Sequence, residues 1–469
     1  MMFNFKNLFS KKLFLKRRYV SVSKLKALSI SKILTEFFLI LVLFLSILFP
    51  AAGLCEDNEK AYNSKRQPYN NFMKCMQQLT KKDFECVDKI SQLLEKSELK
   101  KEELEQVTVC GRMIYEKYKT DIDSLIKNYD RLIDEKNPMP SDKQYLAARS
   151  SSAIIDFRYT RSLARALAAV SRWLESEKRF DDSLKLSTLS WRFGQIILNG
   201  DGGVSSLIMA MIGIAIKNIP AQNHLCAILN AGDFKAEFYQ KYSKRLFELN
   251  EDEMDMAAVI ECERRTFINV LEYEVYVKNN IKNEYSEIVK KIPDGYLEEG
   301  KKYTVGIFNA YYDSVSVFLT KYKNEPYIVK DRFTAMMREI TKNGEPSLGQ
   351  LLNPVKAVGD ILLSIAAPNF SRSHEQFLRA KYYSYGAAIC ARTLAEIKKG
   401  ATPPVSLEAL EKLCGIKLPP DVFDKNRKPL KYKKTNENFT LYSNGNDYKD
   451  DGADAIKDIV LLKIPVLMK

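Results

Sequence analysis

Residues 37–49 read FFLILVLFLSILF, and every position but Ser46 is strongly apolar. With Ile33 and Leu34 before it and the stretch to Leu54 after it, the segment is long enough to cross a hydrocarbon layer of about 30 Å as a helix. Nine lysines and arginines precede the first acid, Glu36, so the tail is basic and is expected to stay in the cytoplasm. Everything after Leu54 is then exported. Pro50, followed by Ala51, Ala52 and Gly53, also offers a small-residue cleavage region, so anchor and cleaved signal peptide compete; the long leader favours the anchor. Cys55 follows Leu54, a poor context for a lipoprotein.

That tail also accounts for most of the charge surplus. The 469 residues hold 73 basic and 59 acidic side chains; setting aside the nine cations and Glu36 takes these to 64 and 58. The body is close to balanced, so nucleic acid is not an expected partner. Two histidines in the whole chain argue against His-rich metal sites, and His224 and His374 have no neighbours in sequence that define a triad; each is expected at the surface or as a capped polar residue. The eight cysteines, at 55, 75, 86, 110, 226, 262, 390 and 414, contain no C-x-x-C pair and suit disulfides or buried thiols outside the cytoplasm. Neighbour grouping puts Cys75, Cys86 and Cys110 in one cluster, Cys226 with Cys262, and Cys390 with Cys414.

The expected fold is mainly α, with an N-terminal transmembrane helix, a helical domain and a small α+β domain at the end. In chain order it comprises a basic tail (1–32), the anchor or signal (33–54), a Cys-containing helical region (55–140), a helical domain (141–345), a linker (346–370) and the terminal domain (371–469). Residues 161–177 place Leu163, Ala166, Leu167, Val170 and Leu174 on one helix face. After a break at 177–179 a second helix covers 180–199, with small Ser171 and Ser183 where the pair would touch. This resembles one tetratricopeptide-type helix pair in a solenoid-like domain, without the 34-residue recurrence of an array. Residues 207–219, apolar almost all round, are expected as the central buried helix. The Gly-rich 199–203 reads as an inter-helix turn, since it lacks the lysine and serine or threonine of a phosphate loop.

Candidate acids are few. Glu261 and Arg265 stand four apart on a predicted helix and are expected as an ordinary ion pair. Glu272 and Glu274, flanked by Tyr273 and Tyr276, offer the alternative of an envelope glycan hydrolase with Glu261 in a helical groove. The first expectation is non-catalytic: a membrane-tethered extracytoplasmic scaffold or interaction protein, single-pass, its body periplasmic or extracellular. The lipid bilayer would meet residues 33–54, and protein partners are expected in the envelope.

The end of the chain carries a long predicted helix (372–399), a short one (406–413), and two alternating stretches (430–434 and 439–443) that predict antiparallel strands packing on the long helix. The cations Lys425, Arg427, Lys428, Lys431, Lys433 and Lys434 read as a solvated strand edge. Leu418-Pro419-Pro420-Asp421-Val422-Phe423, then Pro429-Leu430-Lys431-Tyr432, then Leu441-Tyr442-Ser443-Asn444-Gly445-Asn446-Asp447, Asp450-Asp451-Gly452 and Asp458-Ile459 follow. This order resembles the C-terminal part of type II secretion major pseudopilins. The resemblance implies a link to secretion or surface assembly. It also implies calcium, held by the carbonyls of Leu441 and Ser443 and the carboxylates of Asp447 and Asp458. Two departures stand out: Val422 where the pattern has proline after the aspartate, and Tyr448 where it has glycine.

Overall fold

The structure, a computed structural model, describes residues 75–76, 78–79, 84–94, 99–134, 157–199, 207–221, 224–251, 256–270, 294–344, 360, 363, 370–454 and 457–465. The expected anchor, the proline break near 138, the turn after Asn199, and Glu272 and Glu274 lie outside them. Among the described residues no helix is long and apolar enough to cross a membrane. Residues Lys65–Lys469 form one compact unit, mainly helical, with a three-stranded antiparallel sheet at its C-terminal end.

After helical residues at 75–76 and 78–79 come α1 (Glu85–Ile90), α2 (Lys101–Lys117), α3 (Lys119–Lys127) and α4 (Tyr129–Asp134). Acids at Glu102 and Glu103 open α2, where the helix dipole favours negative charge. A disulfide joins Cys86 of α1 to Cys110 of α2, and Cys75 is a free, half-buried thiol. The predicted helix pair follows as α5 (Phe157–Ser176) and α6 (Phe180–Asn199). All five residues of the α5 stripe are buried. The break between the helices is sharp because Lys178 takes a left-handed conformation, φ 60°.

The predicted Ser171–Ser183 contact is present and extends further. Ser171 Oγ lies 2.7 Å from Ser183 Oγ and 2.6 Å from Ser187 Oγ, all three buried. Small hydroxyls let the two helices close up while satisfying one another, which an unpaired buried hydroxyl would not. Helix α6 is buried on every side from Leu186 through Leu198, so it, rather than the 207–219 segment alone, forms the centre of the body. Several of its polar residues are satisfied inside. Thr188 Oγ1 meets Tyr242 Oη at 2.8 Å, and the Gln195 amide donates to the Leu249 carbonyl.

Helix α7 (Leu207–Ala221) packs against α6 at backbone contact. A Cβ at Gly213 would collide with the Leu198 backbone nitrogen, and one at Gly194 would sit 2.7 Å from the Gly213 carbonyl oxygen. Around this pair lie α8 (His224–Ala231), α9 (Ala236–Glu251), α10 (Met256–Val270), α11 (Asp294–Lys321) and α12 (Pro326–Gly344).

The long predicted helix is α13 (Phe370–Lys398), and most of its surface is buried because it faces α7, α8, α9 and α12 of the body as well as the sheet. Helix α14 (Leu407–Cys414) starts on the Ser406 hydroxyl, which accepts the Ala409 N–H, and stops on left-handed Gly415. The strands are β1 (Lys431–Lys434), β2 (Asn438–Ser443) and β3 (Ile459–Pro465), in the order β1-β2-β3. Sequence periodicity finds the first two and misses β3, whose almost unbroken burial hides any alternation. It is β3 that lies against α13, so closely that a Cβ at Gly386 would collide with the Leu461 carbonyl oxygen.

The β2–β3 register skips Leu461, between the pairs Leu441↔Leu462 and Tyr442↔Val460. Helix α8 then takes the place a fourth strand would fill. Cys226 Sγ donates to the Leu461 carbonyl at 3.5 Å, and the Asn230 side-chain amide donates to the Lys463 carbonyl at 2.7 Å. The edge of β3 is thereby closed by side chains one helical turn apart.

Candidate functional site

The sheet has two unlike faces, as alternation requires. Phe439, Leu441, Leu462 and Ile464 are fully buried on one. On the other, the register places Lys433 opposite Thr440 and Thr440 opposite Lys463, so two lysines flank a threonine in one row across all three strands. This polar face forms one wall of a cleft of about 560 Å³; Arg172 from α5 and Cys226, Ala227 and Asn230 from α8 form the other. Glu437, in the β1–β2 turn, is its acidic residue. Thr440 is buried in the floor, whereas Lys433 and Lys463 are exposed at the sides. The Lys433 ammonium donates to the Gly452 carbonyl at 2.8 Å, which fixes its stem beside the cleft.

Arg172 is held from behind. Its Nη1 lies 3.4 Å from Glu175 Oε2, and the same oxygen lies 3.1 Å from His224 Nε2. His224 is 2 % exposed. Burial and the neighbouring Arg172 charge push its pKa down to about 4, against the opposing pull of Glu175. It is therefore neutral at pH 7, with Nε2–H donating to the carboxylate. Burial works upward on Glu175, but His224 and Arg172 outweigh it and hold the carboxyl below its ordinary range. Burial likewise draws Arg172 down, opposed by Glu175, and an arginine remains charged through such a shift. Both histidines are buried, His374 also at 2 %, which corrects the expectation of surface positions. The reason is local: each sits on a helix face turned into the body.

Beside the cleft, two carboxylates organise the chain around the sheet. Asp421, fully buried, collects four donors: Ser443 Oγ at 2.5 Å, the Phe423 N–H at 2.9 Å, the Asn444 N–H at 3.1 Å and Lys431 Nζ at 3.3 Å. Lys431 also reaches Asp424 at 3.5 Å, so this lysine is an internal partner and not part of a solvated edge. Burial raises Asp424, but the Asn426 amide and Lys431 outweigh it and leave its pKa lowered. Asp458, also fully buried, accepts N–H bonds from Asp451 at 3.3 Å, Ala453 at 2.8 Å and Asp454 at 3.2 Å. Burial raises its pKa in spite of those amides.

The residues expected around calcium are placed as follows. Leu441 is mid-strand in β2, paired with Tyr432 and Leu462. Ser443 ends β2 with its hydroxyl on Asp421. Asp447 is exposed, its Oδ1 accepting the Lys449 N–H at 3.1 Å. Asp458 accepts the Asp451 N–H on Oδ1 and the Ala453 and Asp454 N–H groups on Oδ2. Among the described residues no three His, Cys, Asp or Glu side chains gather as a metal-holding group.

Both departures from the pseudopilin pattern make contacts that the pattern residues could not. The Val422 N–H donates to Tyr382 Oη of α13 at 2.8 Å, a bond that proline lacks. Tyr448 adopts φ 62°, the conformation for which glycine is the ordinary choice. Its hydroxyl donates to buried Glu375 of α13, and its ring meets Tyr327 edge-on at 6.0 Å and lies beneath Lys330 at 5.4 Å, both of α12.

Elsewhere, Glu261 pairs with Arg264 at 2.7 Å and Arg265 at 2.8 Å, the latter as the i, i+4 spacing predicts. Burial works upward on it, but the two guanidiniums hold it below the usual carboxylate range. Cys226 neighbours Cys390, and Cys414, which also acts on Cys390, meets Thr393 Oγ1 at 3.3 Å. The expected 226–262 and 390–414 pairs are absent among the described residues, because α8 turns Cys226 toward α13 and β3. Arg172, Asn230 and Lys463 carry no local signal in the sequence: each is unremarkable until tertiary packing brings three distant segments to one cleft. Comparison with protein-family models, curated proteins and solved structures returns no match.

Proposed function

We propose that this chain is a membrane-tethered, extracytoplasmic binding protein without catalytic activity, whose binding surface is the cleft between the helical body and the terminal sheet. The observation that carries the reading is the Cys86–Cys110 disulfide downstream of the basic tail and apolar run. Such a crosslink persists outside a reducing cytosol, and the run of residues 37–49 supplies the means of export. The Ser171–Ser183 helix pair supports a tetratricopeptide-like element in the body. A long helix followed by an antiparallel sheet and an acidic loop supports the pseudopilin-like reading of the end, and with it a role in secretion or surface assembly. Partners are then proteins or ligands of the envelope.

Fusing a phosphatase that is active only outside the cytoplasm to the C-terminus tests this. An active phosphatase, together with a dark cytoplasm-only fluorescent reporter at the same position, is the expected result. A fluorescent fusion with inactive phosphatase overturns the proposal.

A further inference from the structure

Three cations from three separate elements face the cleft. Lys433 and Lys463 lie in one row of the sheet, two strands apart, and Arg172 stands on the opposing helix. At about 4.8 Å per strand step the two lysine backbones are about 10 Å apart, so their four-carbon stems can straddle one small molecule or close on it from both sides. Buried Thr440 sits between them, its hydroxyl 3.3 Å from Asn438 Oδ1, and Asn230 adds an amide. Arg172 presents a guanidinium with five N–H donors, anchored by its contact with Glu175. Against these charges the described lining offers the single carboxylate of Glu437.

Arg172 is already paired with Glu175 and Glu437 stands in the lining, so Lys433 and Lys463 carry the surplus positive charge that an anion would meet, and a cleft of about 560 Å³ is of the size that holds a small ligand. Among the described residues no aromatic side chain lines it, so they provide no stacking platform for a nucleobase or a sugar ring. Beside an apolar patch from Ala227, Val460 and Pro465, its cations mark charge on oxygen as the feature it recognises.

We infer that the cleft binds a small ligand carrying at least two oxyanion groups, carboxylate or phosphate, held between Lys433 and Lys463 under Arg172. This rests on the reading of the chain as a binding protein and supplies the ligand's chemistry.

Calorimetric titration of the full chain in detergent with pyrophosphate and, separately, with citrate is the test. One of the two binds with one site per chain and weakens as salt rises; which one binds distinguishes phosphate from carboxylate. Lys433→Glu and Lys463→Glu each weaken binding by about tenfold or more, and the double variant abolishes it. Lys434→Glu makes the same change of net charge at the next residue, on the other face of the strand, and leaves the affinity within about twofold. Unchanged melting temperatures show that the variants fold. Failure of both ligands to bind, or equal weakening by Lys434→Glu, overturns the inference. A failure here leaves the phosphatase result standing, and a failed phosphatase fusion leaves these titrations unaffected.

Discussion

The helical body and the sheet region solve the same problem, polar groups buried away from water, in opposite ways. In the body much of the burden falls on neutral side chains, although Arg192 and Lys217 are buried there too: the Ser171, Ser183 and Ser187 hydroxyls share one another, and Thr188 and Gln195 reach neighbouring helices. In the sheet region it falls on carboxylates, with Asp421 and Asp458 each gathering several donors. The difference follows from backbone. Helices satisfy their own amides and need only small groups where they touch, whereas irregular loops leave amides pointing inward that a carboxylate can collect at once. The body should therefore be sensitive to volume and the sheet region to charge.

The largest effect is expected from Asp421→Ala. It strands two buried amides, the Ser443 hydroxyl and part of the partnership of Lys431, and is expected to cost about 4 kcal/mol or more, read as a loss in chemical-denaturation midpoint. Next, Gly213→Ala pushes a methyl group into the Leu198 backbone, where no side chain can swing aside; about 3 kcal/mol of destabilisation is expected. If Asp421→Ala were mild and Gly213→Ala severe, the contrast would reduce to packing alone.

His224 sharpens the contrast as one of the titratable groups that the body buries. Its folded pKa of about 4 lies below the ordinary 6.5, so between those values the unfolded chain takes up the proton first. Stability is therefore full above pH 6.5, falls as pH drops toward 4, and levels off below. The cost reaches at most about 3 kcal/mol for this group. Glu175, held below its usual range, acts in the same direction. His224→Gln is expected to flatten the pH 4 to 6.5 portion of the stability curve; an unchanged curve would contradict the assignment. The smallest effect is expected from Val422→Pro, which removes the bond to Tyr382 at a cost of about 1 kcal/mol. A double-mutant cycle with Tyr382→Phe should show coupling of that size.

The helix pair 161–199, the Glu261–Arg265 ion pair and the first two strands were legible in the sequence because each is a local pattern of period or spacing. The cleft was not, because Arg172, Asn230 and Lys463 meet only through long-range packing. Strand β3 escaped for a different reason: burial on both sides erased its alternation. The departures at Val422 and Tyr448 were visible as letters, but their meaning was not. Only the packing of α13 and α12 shows that each binds the sheet region to the helical body.

The claim on which the rest depends is that the body folds outside the cytoplasm. Trapping thiols in intact cells with a membrane-permeant alkylating reagent, followed by mass mapping of the full chain, tests it most directly. Cys86 and Cys110 are expected to escape alkylation and to map as one disulfide-linked peptide pair, and both become alkylated once a reductant is added. Free alkylation of both cysteines without reductant would contradict it.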